Sequence, residues 1–387
     1  MPDRLKPSRR SDVASFLAMD VLAEAKALEA AGRRVVHLEV GQPGAPAPRL
    51  VLEAAREALR DGRLGYTEAL GITPLRERIA RHYHDAYGLD ISPERVVVTT
   101  GSSAAFNLAF LAAFDVGDRV VLPTPGYPAY RNILAALGLA VDEIETSGRT
   151  RWAITPDMLM QTHAETPVNG VLVASPANPT GTMMQPDALA DLVTTCRDED
   201  IWFLSDEIYH GLVYNGRAAC ALDTWDDAIV INSFSKYYCM TGWRVGWMIV
   251  PQWLVRPVER IAQNLYISVP ELSQRAALAA FDATDELEAV KAGYEANRAL
   301  LLEKLPGIGL DELLPVDGAF YIYADVRKFT NDSIDFAKRL LNGAGVAVTP
   351  GPDFDLRRGD TYVRISFAGT HADMQEAVER MGTFLKA

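Results

Sequence analysis

Short apolar runs recur along the chain, separated by stretches with helical periodicity. Val35-Val36-His37-Leu38, Val96-Val97-Val98-Thr99 and Val120-Val121-Leu122, then Val168 to Ala174, Ile201 to Leu204 and Ala228 to Ile231, read as strands too continuously apolar to keep one face wet. Residues 12–31 repeat apolar positions at helical spacing, with Gly32 expected as the C-cap, and a second, apolar helix is expected from Ser103 to Phe114. Strands of this kind alternating with helices predict an α/β fold, a mostly parallel central sheet with helices on both faces. From about Asp285 onward the pattern reads as a smaller second α/β unit, and within it Tyr362-Val363-Arg364-Ile365-Ser366 forms an alternating strand. No internal repeat, low-complexity segment or long Gly/Ser linker interrupts the order.

Composition narrows the class. A chain of 387 residues, 49% of them apolar, can bury one or two substantial cores, which sets the expectation at about two domains. A net charge of −13 argues against nucleic-acid binding, and any anionic ligand must be held by local arginines against that field. No apolar run reaches the roughly 18 residues needed to cross a bilayer, and Met1-Pro2-Asp3-Arg4-Leu5-Lys6 lacks the apolar core of a secretion signal. Cys196, Cys220 and Cys239 are an odd set without metal-ligand spacing, so reduced thiols in a cytoplasm are expected. His82 and His84, two apart, would face different sides of a helix, and no metal site is expected.

The most informative chemistry follows the run Ala228-Ile229-Val230-Ile231. Ser233-Phe234-Ser235-Lys236, with Arg244 eight residues beyond the lysine, delivers an amine, two hydroxyls and a guanidinium at one strand end. An amine can hold a carbonyl cofactor as a Schiff base, and hydroxyls with an arginine fork match the oxygens of a phosphate, so the segment suits a phosphorylated aldehyde. Taken alone, Lys236 reads more readily as a solvated surface charge. Gly101-Ser102-Ser103 stands at another strand-to-helix junction, where free N–H groups favour an anion, although an ordinary serine cap reads the same way. Asp206 ends the run Ile201-Trp202-Phe203-Leu204-Ser205, and Arg364 sits among apolar neighbours where an unpaired charge is expensive. In a parallel α/β sheet, ligands collect at these carboxyl ends.

Eight motifs together resemble the class I/II aminotransferases, the fold type I enzymes that use pyridoxal 5′-phosphate. In order they are Gly41-Gln42-Pro43; Tyr66-Thr67 with Gly71 and Leu75-Arg76; Thr100-Gly101-Ser102-Ser103; Pro125-Gly126-Tyr127-Pro128; Asn178-Pro179-Thr180-Gly181; Asp206-Glu207-Ile208-Tyr209; the lysine segment; and Val363-Arg364-Ile365-Ser366. The resemblance runs over roughly residues 10–385. It implies that Lys236 carries the cofactor and moves the proton of transamination, with Asp206 keeping the pyridine nitrogen protonated. It further implies that Tyr209 and Asn178 bond the ring's phenolic oxygen and that Tyr127 stacks on the ring. Gly101, Ser102, Ser103, Ser233, Ser235 and Arg244 would cradle the phosphate, joined by Tyr66 lent across the interface of a homodimer with shared active sites. Arg364, with Gly41 and Asn178, would hold the substrate. The family's division places residues 41–284 in a large cofactor-binding domain and 285–387 in a small one, with 1–40 packing on the latter.

The implied reaction is ping-pong transfer of an amino group between an L-amino acid and a 2-oxo acid. Two departures bear on the substrate. The Gly41 loop lacks the acidic residue and aromatic that often follow the glycine, and Ser103 stands where some aspartate-specific relatives carry a lysine. Both favour a neutral or apolar side chain, while 2-oxoglutarate is the family's default acceptor. A carbon–sulfur lyase of the same fold would use the same lysine for elimination. A pyridoxal-phosphate-binding regulator without turnover usually carries a fused DNA-binding domain, and only about 40 residues precede Gly41. A dinucleotide-dependent dehydrogenase is disfavoured because no glycine-rich fingerprint follows any strand.

Overall fold

The computed structural model describes residues 5–386, so Met1 to Arg4, on which most of the secretion-signal reading rests, lie outside the described residues. The strands are β1 (Val36–His37), β2 (Val96–Thr99), β3 (Arg119–Thr124), β4 (Ala140–Glu145), β5 (Gly170–Ala174), β6 (Trp202–Asp206), β7 (Ile229–Ser233), β8 (Gly246–Ile249), β9 (Tyr321–Asp325), β10 (Val346–Ala347), β11 (Thr349–Pro350) and β12 (Tyr362–Ser366). The α-helices are α1 (Leu17–Ala30), α2 (Arg49–Asp61), α3 (Thr73–Tyr87), α4 (Ser102–Ala113), α5 (Pro128–Leu137), α6 (Pro156–Glu165), α7 (Pro186–Asp198), α8 (Gln252–Tyr266), α9 (Glu271–Ala280), α10 (Thr284–Lys304), α11 (Ser333–Ala344) and α12 (His371–Phe384).

Seven strands form the central sheet in the order β2-β8-β7-β6-β5-β3-β4. Only β8 runs against its neighbours; the β7-β6-β5-β3-β4 pairings are all parallel. The period of two along each strand sends alternate side chains to opposite faces. Val97, Leu172, Leu204, Ile229 and Met248 pack with α4, α5 and α8, whereas Val98, Val171, Phe203, Val230 and Trp247 pack with α2, α3, α7 and α9. This is why the strands read as unbroken apolar runs. At the sheet's outer edge, β4 is half-buried and carries Asp142, Glu143 and Glu145, which hid it from the apolar pattern.

A smaller sheet, β11-β12-β9, and the short parallel pair β1-β10 gather around a separate cluster. Val36 and Leu38 join Phe320, Ile322, Val363, Ile365 and Met374 there, so the N-terminal strand is buried by residues from the last third of the chain. The helix expected over 12–31 begins only at Leu17. Residues 12–16 stay outside it because Phe16, at the N-cap, has no side-chain acceptor, and Asp353 takes the first free N–H groups instead. The three cysteines are free and buried. Among the described residues no helix is long and apolar enough to cross a membrane.

His37 clasps the N-terminal elements. Its Nδ1 is 2.7 Å from Glu39 Oε1 and its Nε2 is 3.2 Å from Glu29 Oε1 on α1. The hydrogen bond to Glu39, followed by the attraction of both acids, pushes the imidazole from 6.5 up to about 9 against the effect of burial. A raised folded-state value means stabilisation that is complete below pH 6.5 and disappears as pH rises through about 9. His37→Gln should therefore lower the urea midpoint at pH 6 more than at pH 9.5, measured by equilibrium unfolding; an equal loss at both values contradicts the ion-pair account.

Candidate active site

The carboxyl ends of β2, β3, β5, β6 and β7 open on one cavity of about 290 Å³. β8, running the other way, starts at that same end, so Arg244, just before Gly246, reaches the cavity too. Strand polarity thus collects residues far apart in sequence. Ser102 and Ser103 begin α4, Tyr127 follows β3, Asn178 follows β5, Asp206 ends β6, and Ser235 and Lys236 follow β7; all line the cavity. Gly41, Tyr209 and Arg364 close it from the side of the smaller sheet.

Lys236 is fixed by its neighbours. Phe234 is buried with its ring 4.9 Å from Trp247, and Cys239 N donates to Lys236 O at 3.1 Å, leaving the side chain to project into the cavity. Its amine donates to Gly41 O. Burial first, then repulsion from Arg364 and Arg244, pushes it from 10.5 down to about 8, with Asp206 pulling the other way. A useful fraction is therefore neutral, and nucleophilic, near physiological pH.

Asp206 accepts from Tyr130 Oη on one carboxylate oxygen and from Ile208 N at 3.1 Å on the other. Burial raises it to about 6, while Tyr130, Ile208 and Lys236 hold it down, so it is a carboxylate at neutral pH. Tyr209 lies 2.9 Å from Tyr321, hydroxyl to hydroxyl, and burial lifts its own pKa far above the ordinary value. Tyr127 packs edge-on against Tyr130 and face-on with Phe16.

Arg364 alternates with Val363 and Ile365, which go to the core, so its side chain takes the opposite face of β12, toward the cavity. Its Nη1 donates to Asn178 Oδ1 at 3.0 Å, and its Nη2 donates to Glu39 O and to Thr349 Oγ1. The guanidinium lies between the rings of Tyr321 and Phe354, 4.5 and 4.8 Å from their centroids. Its Nε has no partner, and among the described residues no carboxylate pairs with it. A buried guanidinium without a counter-ion is incomplete until an anion arrives.

At the other end, Arg244 Nη1 donates to Thr241 O at 3.0 Å and reaches Ser235 Oγ at 3.5 Å. Gly101 has a φ of +80°, and a Cβ there would collide with the Arg244 guanidinium, so only glycine leaves this corner open. Ser233 sits behind the corner: its hydroxyl lies 2.9 Å from Ser235 Oγ and 3.1 Å from Val245 O, and it does not line the cavity. Tyr66 is 82% exposed and does not reach its own chain's cavity.

Several residues of the site carried no motif. Tyr130 lies three residues after Tyr127 on α5, a spacing that puts both on one face, and that was its only signal. Tyr321, Phe354 and the carbonyl of Glu39 are placed by the smaller sheet and cannot be read from local pattern.

The family model described as Aminotransferase class I and II matches residues 33–381. The chain is 50% identical to the valine–pyruvate aminotransferase of Mycobacterium tuberculosis, over 100% of this chain and 99% of that protein. It is 34% identical to the (5-formylfuran-3-yl)methyl phosphate transaminase of Methanocaldococcus jannaschii, over 96% and 97% of the two. Among solved structures, an aminotransferase from Mycobacterium tuberculosis superposes with a TM-score of 0.96 at 49% identity over 99% of each chain. The aspartate aminotransferase of Thermus thermophilus with maleate gives 0.92 at 32% identity, over 98% of this chain and 100% of that one.

The electrostatics of Lys236 are directly measurable. In ligand-free protein, acylation of this amine followed by peptide mass mapping should rise with a midpoint near pH 8. Asp206→Asn should move that midpoint down, because the charge favouring the ammonium is lost, and Arg364→Gln should move it up. A midpoint at the ordinary lysine value of 10.5 would contradict burial among two guanidiniums as the setting of this amine.

Proposed function

The chain belongs to the class I and II aminotransferase family and is an aminotransferase; we propose that it uses pyridoxal 5′-phosphate to move an amino group from a neutral, aliphatic L-amino acid to a short 2-oxo acid by a ping-pong sequence. The observation that carries the substrate reading is Arg364, a buried guanidinium with an open Nε and no counter-ion, facing the same cavity as the Lys236 amine. A planar fork of this kind matches an α-carboxylate. The name of the 50% identical relative makes valine and pyruvate the first pair to try.

The residues fit the cofactor. Ser102, Ser103, Ser235 and Arg244, beside the corner that Gly101 keeps open, are a donor set without a carboxylate, suited to a phosphate dianion. Ser233 would act behind them by orienting Ser235. When bound, the cofactor supplies an aldehyde that condenses with amines and a ring that draws electrons from the substrate's Cα. Asp206, held by Tyr130 and Ile208, would present its charge to the ring nitrogen of the bound cofactor. Asn178 turns its oxygen to Arg364, which leaves its NH2 to donate into the cavity with Tyr209. Lys236 would take the proton from the substrate's Cα and deliver it to the carbon that was the cofactor's aldehyde, a role that typically contributes about 10²–10⁴-fold. Tyr321 and Phe354 cover the Arg364 guanidinium and keep water from it.

The working unit in this reading is a cytoplasmic homodimer with shared sites, each chain divided at 40/41 and 284/285 into the small and large domains. The exposure of Tyr66 supports its service to a second copy's phosphate.

Lys236→Ala should lower kcat with valine and pyruvate by at least about 10²–10⁴-fold. Borohydride reduction of the yellow wild-type protein should fix the cofactor to Lys236, and a reduced adduct mapped to another lysine refutes the assignment. Release of ammonia without a 2-oxo acid acceptor would mark a lyase instead.

Tyr66→Phe should weaken cofactor retention by one hydrogen bond to a charged group, about 1.5–3 kcal/mol or roughly 10- to 150-fold, with the dimer intact. Mixing Lys236→Ala with Tyr66→Asp under subunit exchange should restore activity, since one mixed site inherits neither lesion. Verified exchange without recovery rules out shared sites.

A further inference from the structure

The first turn of α1 has no cap of its own. Phe16 occupies the N-cap position and its side chain accepts nothing, yet the free N–H groups of Leu17 and Ala18 are satisfied. They donate to the two carboxylate oxygens of Asp353, at 3.1 and 3.3 Å, from more than 330 residues away. A carboxylate at a helix N-terminus is favoured both as an acceptor and by the helix dipole. Asp353 is itself buried and immobilised. Its carbonyl accepts from Arg131 Nη2 on α5 at 2.6 Å, and the next residue, Phe354, accepts from Gly126 N at 3.0 Å while its ring lies against Arg364.

The clasp has a spatial result. The turn it holds displays Phe16, Ala18 and Met19 as an apolar wall of the cavity, and Asp353 lines the cavity beside them. The cavity's cations are Lys236, Arg244 and Arg364, and each already has a task at the amine, phosphate or α-carboxylate end. None of those that this chain supplies is left to meet a carboxylate on the substrate's side chain.

We propose that Asp353 is a specificity-positioning residue: by capping α1 it sets Phe16, Ala18 and Met19 against the substrate's side chain, and its charge turns a second substrate carboxylate away. The proposal rests on the transamination reading above and extends it to residues outside the reacting centre. It selects branched aliphatic monocarboxylic amino acids over both alanine and aspartate.

The test follows the half-reaction of the holoenzyme with valine, alanine or aspartate by absorbance, and separately follows deuterium exchange of the Leu17 and Ala18 amides in protein without amino acid. Asp353→Ala should speed exchange at those amides and lower the valine-to-alanine ratio of kcat/KM about tenfold, the usual worth of a hydrophobic contact of this size. Asp353→Asn keeps one acceptor and loses the charge. It should retain most of the valine-to-alanine ratio while aspartate gains relative to valine, and it carries the test if the alanine variant does not fold. Faster exchange with equal losses for all three amino acids would reduce Asp353 to a structural cap and overturn the proposal, as would wild-type ratios in both variants. If wild-type holoenzyme reacts with none of the three, the transamination reading fails and the proposal falls with it, whatever the exchange data show.

Discussion

Lys236, Arg244 and Arg364 bring three cationic side chains to one cavity whose two acids, Asp206 and Asp353, are already engaged, and like charges at low dielectric repel strongly. The fold holds this arrangement with neutral groups. Main-chain carbonyls of Glu39 and Gly41 accept from Arg364 and Lys236, Asn178 offers its amide oxygen, and two aromatic faces flank the Arg364 guanidinium. What remains is net positive character inside a chain whose total charge is −13. Anions at both ends, a phosphate near Arg244 and a carboxylate near Arg364, would relieve it, and burial, reinforced by the two guanidiniums, lowers the Lys236 amine into a reactive range.

That arrangement depends on two sheets meeting. The Arg244 side of the cavity is built at the carboxyl ends of the large sheet's parallel strands, where β8's reversed direction adds Arg244 to what they supply. The Arg364 side is built by β12 and the loop after β1, and Gly41 is there because a Cβ would strike the Tyr321 hydroxyl. Asp353 then ties the smaller sheet's loop to α1, and Arg358 ties that loop to the ends of β3 and β4 through Thr124 O and Thr146 O, both at 2.9 Å.

The parallel sheet was legible in the sequence because strands covered on both faces must be apolar at every position, and the segments around Ser102 and Lys236 that line the cavity were legible because they lie on short stretches at strand ends. The residues that escaped are set by long-range contact. Nothing local distinguishes Tyr130 from a core tyrosine until Asp206 is opposite it, or Asp353 from a loop aspartate until α1 is seen to start on it. For the same reason the periodicity over 12–31 placed the start of α1 too early: an apolar pattern marks a face, while the first hydrogen-bonded turn is fixed by whichever acceptor comes to cap it.

The pairing of β1 with β10 also has a consequence for synthesis. Val36 lies beside Val346, 310 residues later, and their register exists only once both have left the ribosome. At about 5–20 residues per second, the first strand waits roughly 15–60 s for its partner, with Val35, Val36 and Leu38 uncovered while the large sheet assembles. The segment that delivers Gly41 to the site is thus among the first parts made and the last to dock, and an arrested or truncated chain would present it as an unpaired apolar edge.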